Sequence, residues 1–146
     1  MTETERAYIA GILDGEGHMS IQYQLYGPNK PGGHYKAVMA ITGTHRGMLE
    51  WVQERVGGKI YAKSQGTEDG RQKPHYQLVI NRKEWFLAML DAVEPYLIIK
   101  KRHAAVMRRF LARQLYTHHC PIAKECYDEL KRLNIRGITK HQLTLL

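Results

Sequence analysis

The hydrophobic period of this chain switches between helix and strand in a fixed order, and that order limits the fold more than any other feature. Tyr8, Ile9, Ile12 and Leu13 form a helical stripe, with Thr2 and Glu5 at capping-box spacing and Glu3 and Glu5 in the first turn. Residues 3–14 are therefore expected to be helical. Residues 18–26 alternate, with Met19, Ile21, Tyr23 and Leu25 on one face and Ser20, Gln22, Gln24 and Tyr26 on the other. After the turn-forming run GPNKPGG, alternation resumes over 34–42, where Tyr35, Ala37, Met39 and Ile41 oppose Lys36, Val38, Ala40 and Thr42. Met48, Leu49, Val52 and Val56 make 45–56 a helix, stopped by Gly57-Gly58. Strands are expected at 59–64 and 75–81, around the polar loop SQGTEDGRQKP. A helix over 83–93 should end before Pro95, because the residue preceding proline disfavours helical backbone. A long helix is expected from Ile98 to Leu115 and a shorter one from Pro121 to Leu133. The last dozen residues have no clear period.

The order is α-β-β-α-β-β-α followed by helices. Short connections favour antiparallel hairpins with helices over one face, an α+β fold with a four-stranded sheet. Residues 1–116 would form the core domain and 117–146 a helical extension packed on it. The uncovered face should carry Ser20, Gln22, Gln24, Tyr26, Lys36, Lys59, Tyr61, Lys63, His75 and Gln77. Gln and Lys can hydrogen-bond base edges, and a curved β-ribbon fits the major groove. The same pattern also describes the solvated side of an ordinary sheet.

Charge favours the first reading. The chain has 22 Lys and Arg against 14 Asp and Glu, a formal charge of +8, which makes a polyanion the first partner to consider. No acid occurs from Gly17 to Leu49 or from Pro95 to Lys124, and the latter stretch holds Lys100, Lys101, Arg102, Arg108, Arg109 and Arg113. So dense a cluster is most easily tolerated beside a bound anion, although a solvated helix face also accounts for it. No apolar run reaches the roughly 18 to 20 residues of a membrane span. Two cysteines and no signal-like start lead to the expectation of a reduced, intracellular protein without a disulfide framework.

The first helix contains choices that are costly for a merely structural helix. Gly11 in its interior costs about 1 kcal/mol relative to alanine. Asp14 and Glu16 oppose the helix dipole at the C-terminal end by roughly 0.3–1 kcal/mol each. Gly11 and Gly15 lie four apart on one helical face, with Ala7 and Ala10 nearby, a surface suited to close helix-to-helix approach. Glu16 projects from a slender turn between Gly15 and Gly17. A carboxylate there suits Mg²⁺, which takes hard oxygen ligands together with water and phosphate, and it is equally what a solvent-exposed turn residue looks like.

The segment Ile9-Ala10-Gly11-Ile12-Leu13-Asp14-Gly15-Glu16-Gly17 resembles the LAGLIDADG motif of homing endonucleases. The element order fits that family too, as do the segments ITGTHRGMLEWVQERVGGKIY and INRKEWFLAMLDAVEPYLIIKKR, so that the resemblance spans roughly residues 5 to 115. It implies the αββαββα fold of the family, with a DNA-binding sheet. It places the acidic metal ligand at Glu16, where Glu replaces the more usual Asp, and gives Asp14 a structural part at the subunit interface. It also places a lysine near the scissile phosphate at Lys100, within Pro95-Tyr96-Leu97-Ile98-Ile99-Lys100. Where the family often has Gln at the end of the second strand, this chain has Gly43 and Thr44.

The chain has one such motif, and cutting both strands of a duplex takes two sets of catalytic groups. Two copies paired about a two-fold axis supply them, with Ala7, Ala10, Gly11, Asp14 and Gly15 at the seam. The implied activity is a double-strand break in a long, roughly palindromic DNA site. The cofactor would be Mg²⁺, with Mn²⁺ able to substitute, and no small-molecule cofactor or membrane is implied. Glu16 and Lys100 are the catalytic candidates, Glu16 being also the metal ligand. DNA contacts are expected from the polar sheet face, including Val38, Ala40 and Thr42, and from Lys101 and Arg102. The alternative is a non-cleaving module that serves as an RNA-splicing maturase or a DNA-binding regulator. The expected location is a bacterial or phage-infected cytoplasm or an organelle. His118-His119-Cys120 and Cys126 fit no standard zinc spacing and read as a polar loop with buried free thiols. Trp51, Trp85 and Phe86 read as core.

Overall fold

A computed structural model describes residues 1–112 and 117–135. The elements are α1 (Glu3–Glu16), β1 (Gly17–Leu25), β2 (Gly33–Gly43), α2 (Arg46–Val56), β3 (Lys59–Ser64), β4 (His75–Ile80), α3 (Lys83–Val93), α4 (Lys101–Leu111) and α5 (Pro121–Leu133). A short 3-10 turn, Glu94–Tyr96, follows α3. The strands form one sheet in the order β1-β2-β4-β3, with β4 antiparallel to both β2 and β3. The α+β class and the αββαββα order expected from periodicity are both present. Among the described residues, no helix is long and apolar enough to cross a membrane.

The chain divides into two compact units, one of residues 1–18 and 38–101, the other of 19–37 and 102–146. The first unit contains α1, α2, α3, β3, β4 and most of β2. Its helices start where the sequence signals a start. Thr2 and Glu5 form the expected capping box, each side chain bonding the other's backbone N–H, which contributes about 1 kcal/mol. His45 caps α2 by accepting from Met48 N–H at 3.0 Å. Ile9, Leu13, Met39, Ile41, Leu49, Val52, Leu78, Ile80, Met89, Leu90 and Val93 are fully buried. Burying a side chain of this size is worth roughly 1.5–3 kcal/mol, so the helices owe their stability to one packed face. Arg55 ties α2 to α1, donating to Glu5 Oε1 from Nε at 3.1 Å and Nη2 at 2.8 Å, with its guanidinium 3.7 Å from the Trp51 ring centre.

The second unit contains the outer part of the β1–β2 hairpin with α4 and α5. Met19, Ala104, Met107, Phe110, Ala123, Cys126 and Leu130 form its buried interior. His118 joins the C-terminal segment to the hairpin. Its backbone N–H donates to Gly33 O at 3.0 Å, and its ring lies where a side chain at Gly32 would sit.

Several expectations need correction. Helix α1 runs through Glu16 instead of stopping at residue 14, and Gly17 allows it to pass directly into β1, because a Cβ there would lie 2.4 Å from Leu13 O. Helix α4 begins at Lys101, not Ile98; residues 98–100 form a separate bend whose backbone N–H groups donate to Asp14. Its expected extension to Leu115, and Arg113 with it, lies outside the described residues. Leu25 is 76% exposed and Tyr23 37%, because β1 continues past the apolar side chains that could cover it. Phe86 is core, but Trp51 and Trp85 are half-buried, each under an arginine, Arg55 and Arg82 respectively.

Candidate functional site

The residues singled out for chemistry meet around the end of α1. Asp14 turns its carboxylate to the 98–100 turn, accepting from Ile98 N at 2.8 Å, Ile99 N at 3.2 Å and Lys100 N at 2.9 Å. Partial burial pushes the Asp14 carboxyl up, but these three donors and the Lys100 charge outweigh it and hold the group below its ordinary range. The dipole cost of an acid at this helix end is therefore offset by a second segment of the chain.

Lys100 returns the contact, donating from Nζ to Asp14 O at 2.6 Å. Burial pushes its ammonium down, while the negative charges of Asp14 and Glu16 oppose that shift. Asp14 thus serves as the frame that holds Lys100 beside the α1 terminus, and Glu16 lies close enough to act on the same ammonium. The two residues singled out for chemistry are brought together, although 84 positions separate them in sequence.

Glu16 itself is exposed and opens onto a cavity of about 460 Å³. Thr42, Gly43 and Thr44 from the end of β2, His45 at the cap of α2, and His75 at the start of β4 line the rest, with Met48 as the apolar wall. Thr42 and Gln77 are cross-strand partners, and Gln77 Nε2 donates to Thr42 Oγ1 at 3.3 Å. Tyr61 pairs with Gln77 on the other side, and Lys59 with Val79. In this unit Thr42, Lys59, Tyr61, His75 and Gln77 therefore share one sheet face, which ends at Glu16. Val38 is half-buried and Lys63 exposed.

Ala40 does not join them as a surface group. At 8% exposure its short side chain is covered, with Val79 as its partner across the strand pair. Ala10 is also corrected, because it is fully buried on the core stripe of α1 and unavailable to a seam. Ala7, Gly11 and Gly15 are exposed at four-residue spacing, and a Cβ at either glycine would meet nothing within 4 Å.

In the second unit, Gln22 and Gln24 are exposed and Ser20, Tyr26 and Lys36 half-buried along the hairpin. Tyr26 stacks on His34 and carries Lys30 Nζ 4.5 Å from its ring centre. Part of the basic cluster is neutralised within the chain. Glu129 lies 3.0 Å from Arg109 and 3.5 Å from Arg102, and Arg109 Nε donates to Cys126 Sγ at 3.3 Å. Arg102 is thus partly committed to α5, whereas Lys101 is exposed. Cys120 and Cys126 are free thiols.

Among the described residues, no group of three or more His, Cys, Asp or Glu could hold a metal unaided. A lone exposed carboxylate is nonetheless a suitable donor for Mg²⁺, which keeps several waters and binds through one or two carboxylates plus substrate phosphates. His75 and His45 were not recognisable as cavity groups in the sequence. The strand pattern marked His75 only as polar-face, and His45 carried no signal beyond its place before a helix.

No family model and no curated relative matches the sequence. Solved structures do. The archaeal intron-encoded homing endonuclease I-Vdi141I, complexed with DNA, is 22% identical and superimposes with a TM-score of 0.72, covering 98% of this chain and 94% of that one. The homing endonuclease I-CvuI, in complex with a DNA target in the presence of Mg, is 16% identical with a TM-score of 0.73, covering 98% and 92%. The LAGLIDADG homing endonuclease I-SmaMI, bound to cleaved DNA, is 18% identical with a TM-score of 0.60, covering 96% of this chain but 47% of that one. The chain therefore has the fold of the LAGLIDADG homing endonucleases, including chains of about its own length.

Proposed function

We propose that the protein is a site-specific DNA endonuclease that works as a homodimer and hydrolyses one phosphodiester per subunit with a divalent cation, Mg²⁺ in the first instance. The observation that carries this reading is the placement of Glu16, at the end of a polar sheet face, close enough to act on the ammonium of a Lys100 fixed by Asp14. A purely structural helix end has no use for an exposed acid beside a half-buried lysine.

Glu16, with phosphate oxygens and water, would hold the cation, whose contribution is to activate a water and stabilise the leaving oxygen of an in-line displacement. Lys100 presents a fixed positive charge to the phosphate, and because Asp14 orders the backbone at 98–100, little reorganisation is needed when the substrate arrives. The sheet-face side chains Thr42, Lys59, Tyr61 and Gln77 supply phosphate and base contacts.

Dimerisation is supported by Gly11 and Gly15, because none of the described residues occupies the space their missing side chains leave. Ile98 and Ile99, whose N–H groups bond to Asp14 of α1, are 82% and 69% exposed, and Tyr8 is 54% exposed. A second copy packed along Ala7, Gly11 and Gly15 would cover this apolar surface and bring the two Glu16 carboxylates toward a common axis. I-SmaMI, of which this chain covers 47%, is consistent with a working unit twice this length.

The reading is tested by incubating the protein with a randomised duplex library in Mg²⁺ or in Ca²⁺ and sequencing the ends produced. Defined breaks within an inverted-repeat site in Mg²⁺ support it. Specific binding with no break under any divalent cation rejects it in favour of a regulator or maturase.

A further inference from the structure

The polar groups around Glu16 differ in what they still have to offer. Thr42 already accepts from Gln77, which leaves its hydroxyl one lone pair and its own hydrogen. His45 accepts from Met48 N–H through Nδ1, which leaves only an Nε2–H donor facing outward. Gly43 has no side chain. Thr44 is exposed in the bend between β2 and α2, without the support of a paired strand. His75 is different: among the described residues its imidazole makes no hydrogen bond, so in the neutral ring one nitrogen remains a free acceptor and the other a free donor.

Its placement is also fixed by the sheet. His75 is the first residue of β4, and the β3–β4 register shifts immediately beside it, between Ala62 and Ser64, so that Ala62 pairs with Tyr76 and Ser64 with His75. An extra residue in one strand of an antiparallel pair bends the ladder and re-aims the neighbouring side chains, a device common next to active sites. Here it sets the ring on the wall of the 460 Å³ cavity that Glu16 enters. A group built on a paired strand holds its geometry better than one on a loop.

We propose that His75 is the positioning residue for the attacking water, its free ring nitrogen accepting a hydrogen bond from the water held in the Glu16 cavity. This inference rests on the nuclease reading. An attacking water needs an acceptor that fixes its orientation, and near-attack geometry alone accounts for large rate factors. The carboxylate of Glu16 is assigned to the cation. Of the other side chains lining the cavity, only His75 offers an uncommitted nitrogen lone pair on a paired strand, in a chain whose second strand ends in Gly43.

The test uses His75→Ala and His75→Gln, with single-turnover strand scission measured at saturating DNA, and DNA affinity measured separately in EDTA and in Ca²⁺. Thermal unfolding confirms that both variants fold. His75→Ala should slow scission about 100-fold, at the lower end of what a positioned hydrogen-bonding group contributes, with affinity within about threefold of the parent. His75→Gln, which keeps an acceptor and a donor, should recover most of the rate, and added imidazole should partly restore His75→Ala. A His75→Ala rate within about threefold of the parent overturns the assignment. So does a loss confined to DNA affinity, which would make His75 a base or phosphate contact. A parent protein that binds its site but never cuts rejects the nuclease reading itself, and the His75 assignment with it.

Discussion

Replacing Asp14 by alanine should destabilise the protein and loosen Lys100 together. The carboxylate accepts three backbone N–H groups at 2.8, 3.2 and 2.9 Å. Charge-assisted bonds of this kind are worth up to about 1.5–3 kcal/mol each when both partners are buried. Ile98 and Ile99 are 82% and 69% exposed, however, so water will satisfy the released donors. The loss is then closer to that of an N-cap, about 1–2 kcal/mol, because any dipole gain beside the start of α4 is offset by the dipole cost relieved at the end of α1. A loss of about 1–2 kcal/mol corresponds to a fall in Tm of about 3–8 °C for a domain of this size. The pH dependence has a definite sign. Asp14 is held below its ordinary value, so its contribution is complete above the unfolded carboxyl value of about 3.9 and disappears as pH falls through the folded value. Urea unfolding at pH 7 and at pH 3 measures both effects. The difference between parent and Asp14→Ala should be largest at pH 7 and shrink at pH 3. A pH 7 difference below about 0.5 kcal/mol, or one that grows on acidification, would refute the view that Asp14 is the frame for the 98–100 turn.

Glu16→Gln should abolish cleavage while leaving specific DNA affinity within about tenfold, as measured by gel shift in Ca²⁺, since the exposed carboxylate is assigned to the cation and not to the fold. Gly11→Leu should leave the monomer fold intact, because a Cβ there meets nothing within the chain, and should weaken self-association at least 100-fold by analytical ultracentrifugation. Removing the exposed Lys59 should weaken binding to all duplexes about equally. It should also lower the slope of log affinity against log salt by about 1.8, the value for two phosphates, one per subunit of the dimer, that are no longer neutralised.

The elements were largely legible because each buries one face, and the period of that face survives in the sequence. Ile9 and Leu13 mark α1, and Leu49, Val52 and Val56 mark α2, through spacing alone. The misreadings have tertiary causes. Helix α4 starts at Lys101, after a bend at 98–100 that is held by a side chain 84 positions earlier in the sequence. Leu25 has the spacing of a core residue but no apolar cover, and Ala40 has the spacing of a surface residue but is covered. The basic cluster of α4 looked uncompensated because its counter-charge, Glu129, belongs to the next helix. Glu16 and Lys100 could be identified from a motif, whereas the grouping of His75 with them depends on a register shift in β3 that no local pattern announces. Gly11 and Gly15 are the converse, plain in the sequence and with no close neighbour among the described residues that requires a glycine.

The central claim is that one chain is half of the working unit, with one Glu16 for each DNA strand. It is tested most directly by mixing the parent protein with Glu16→Gln, allowing subunits to exchange, and incubating the mixture with a supercoiled plasmid carrying the selected site. Mixed dimers should release nicked circles in proportion to their statistical abundance, each cut on one strand. A mixture that yields only linear product, with no nicked intermediate above the parent level, would contradict the assignment of one catalytic acid to each strand.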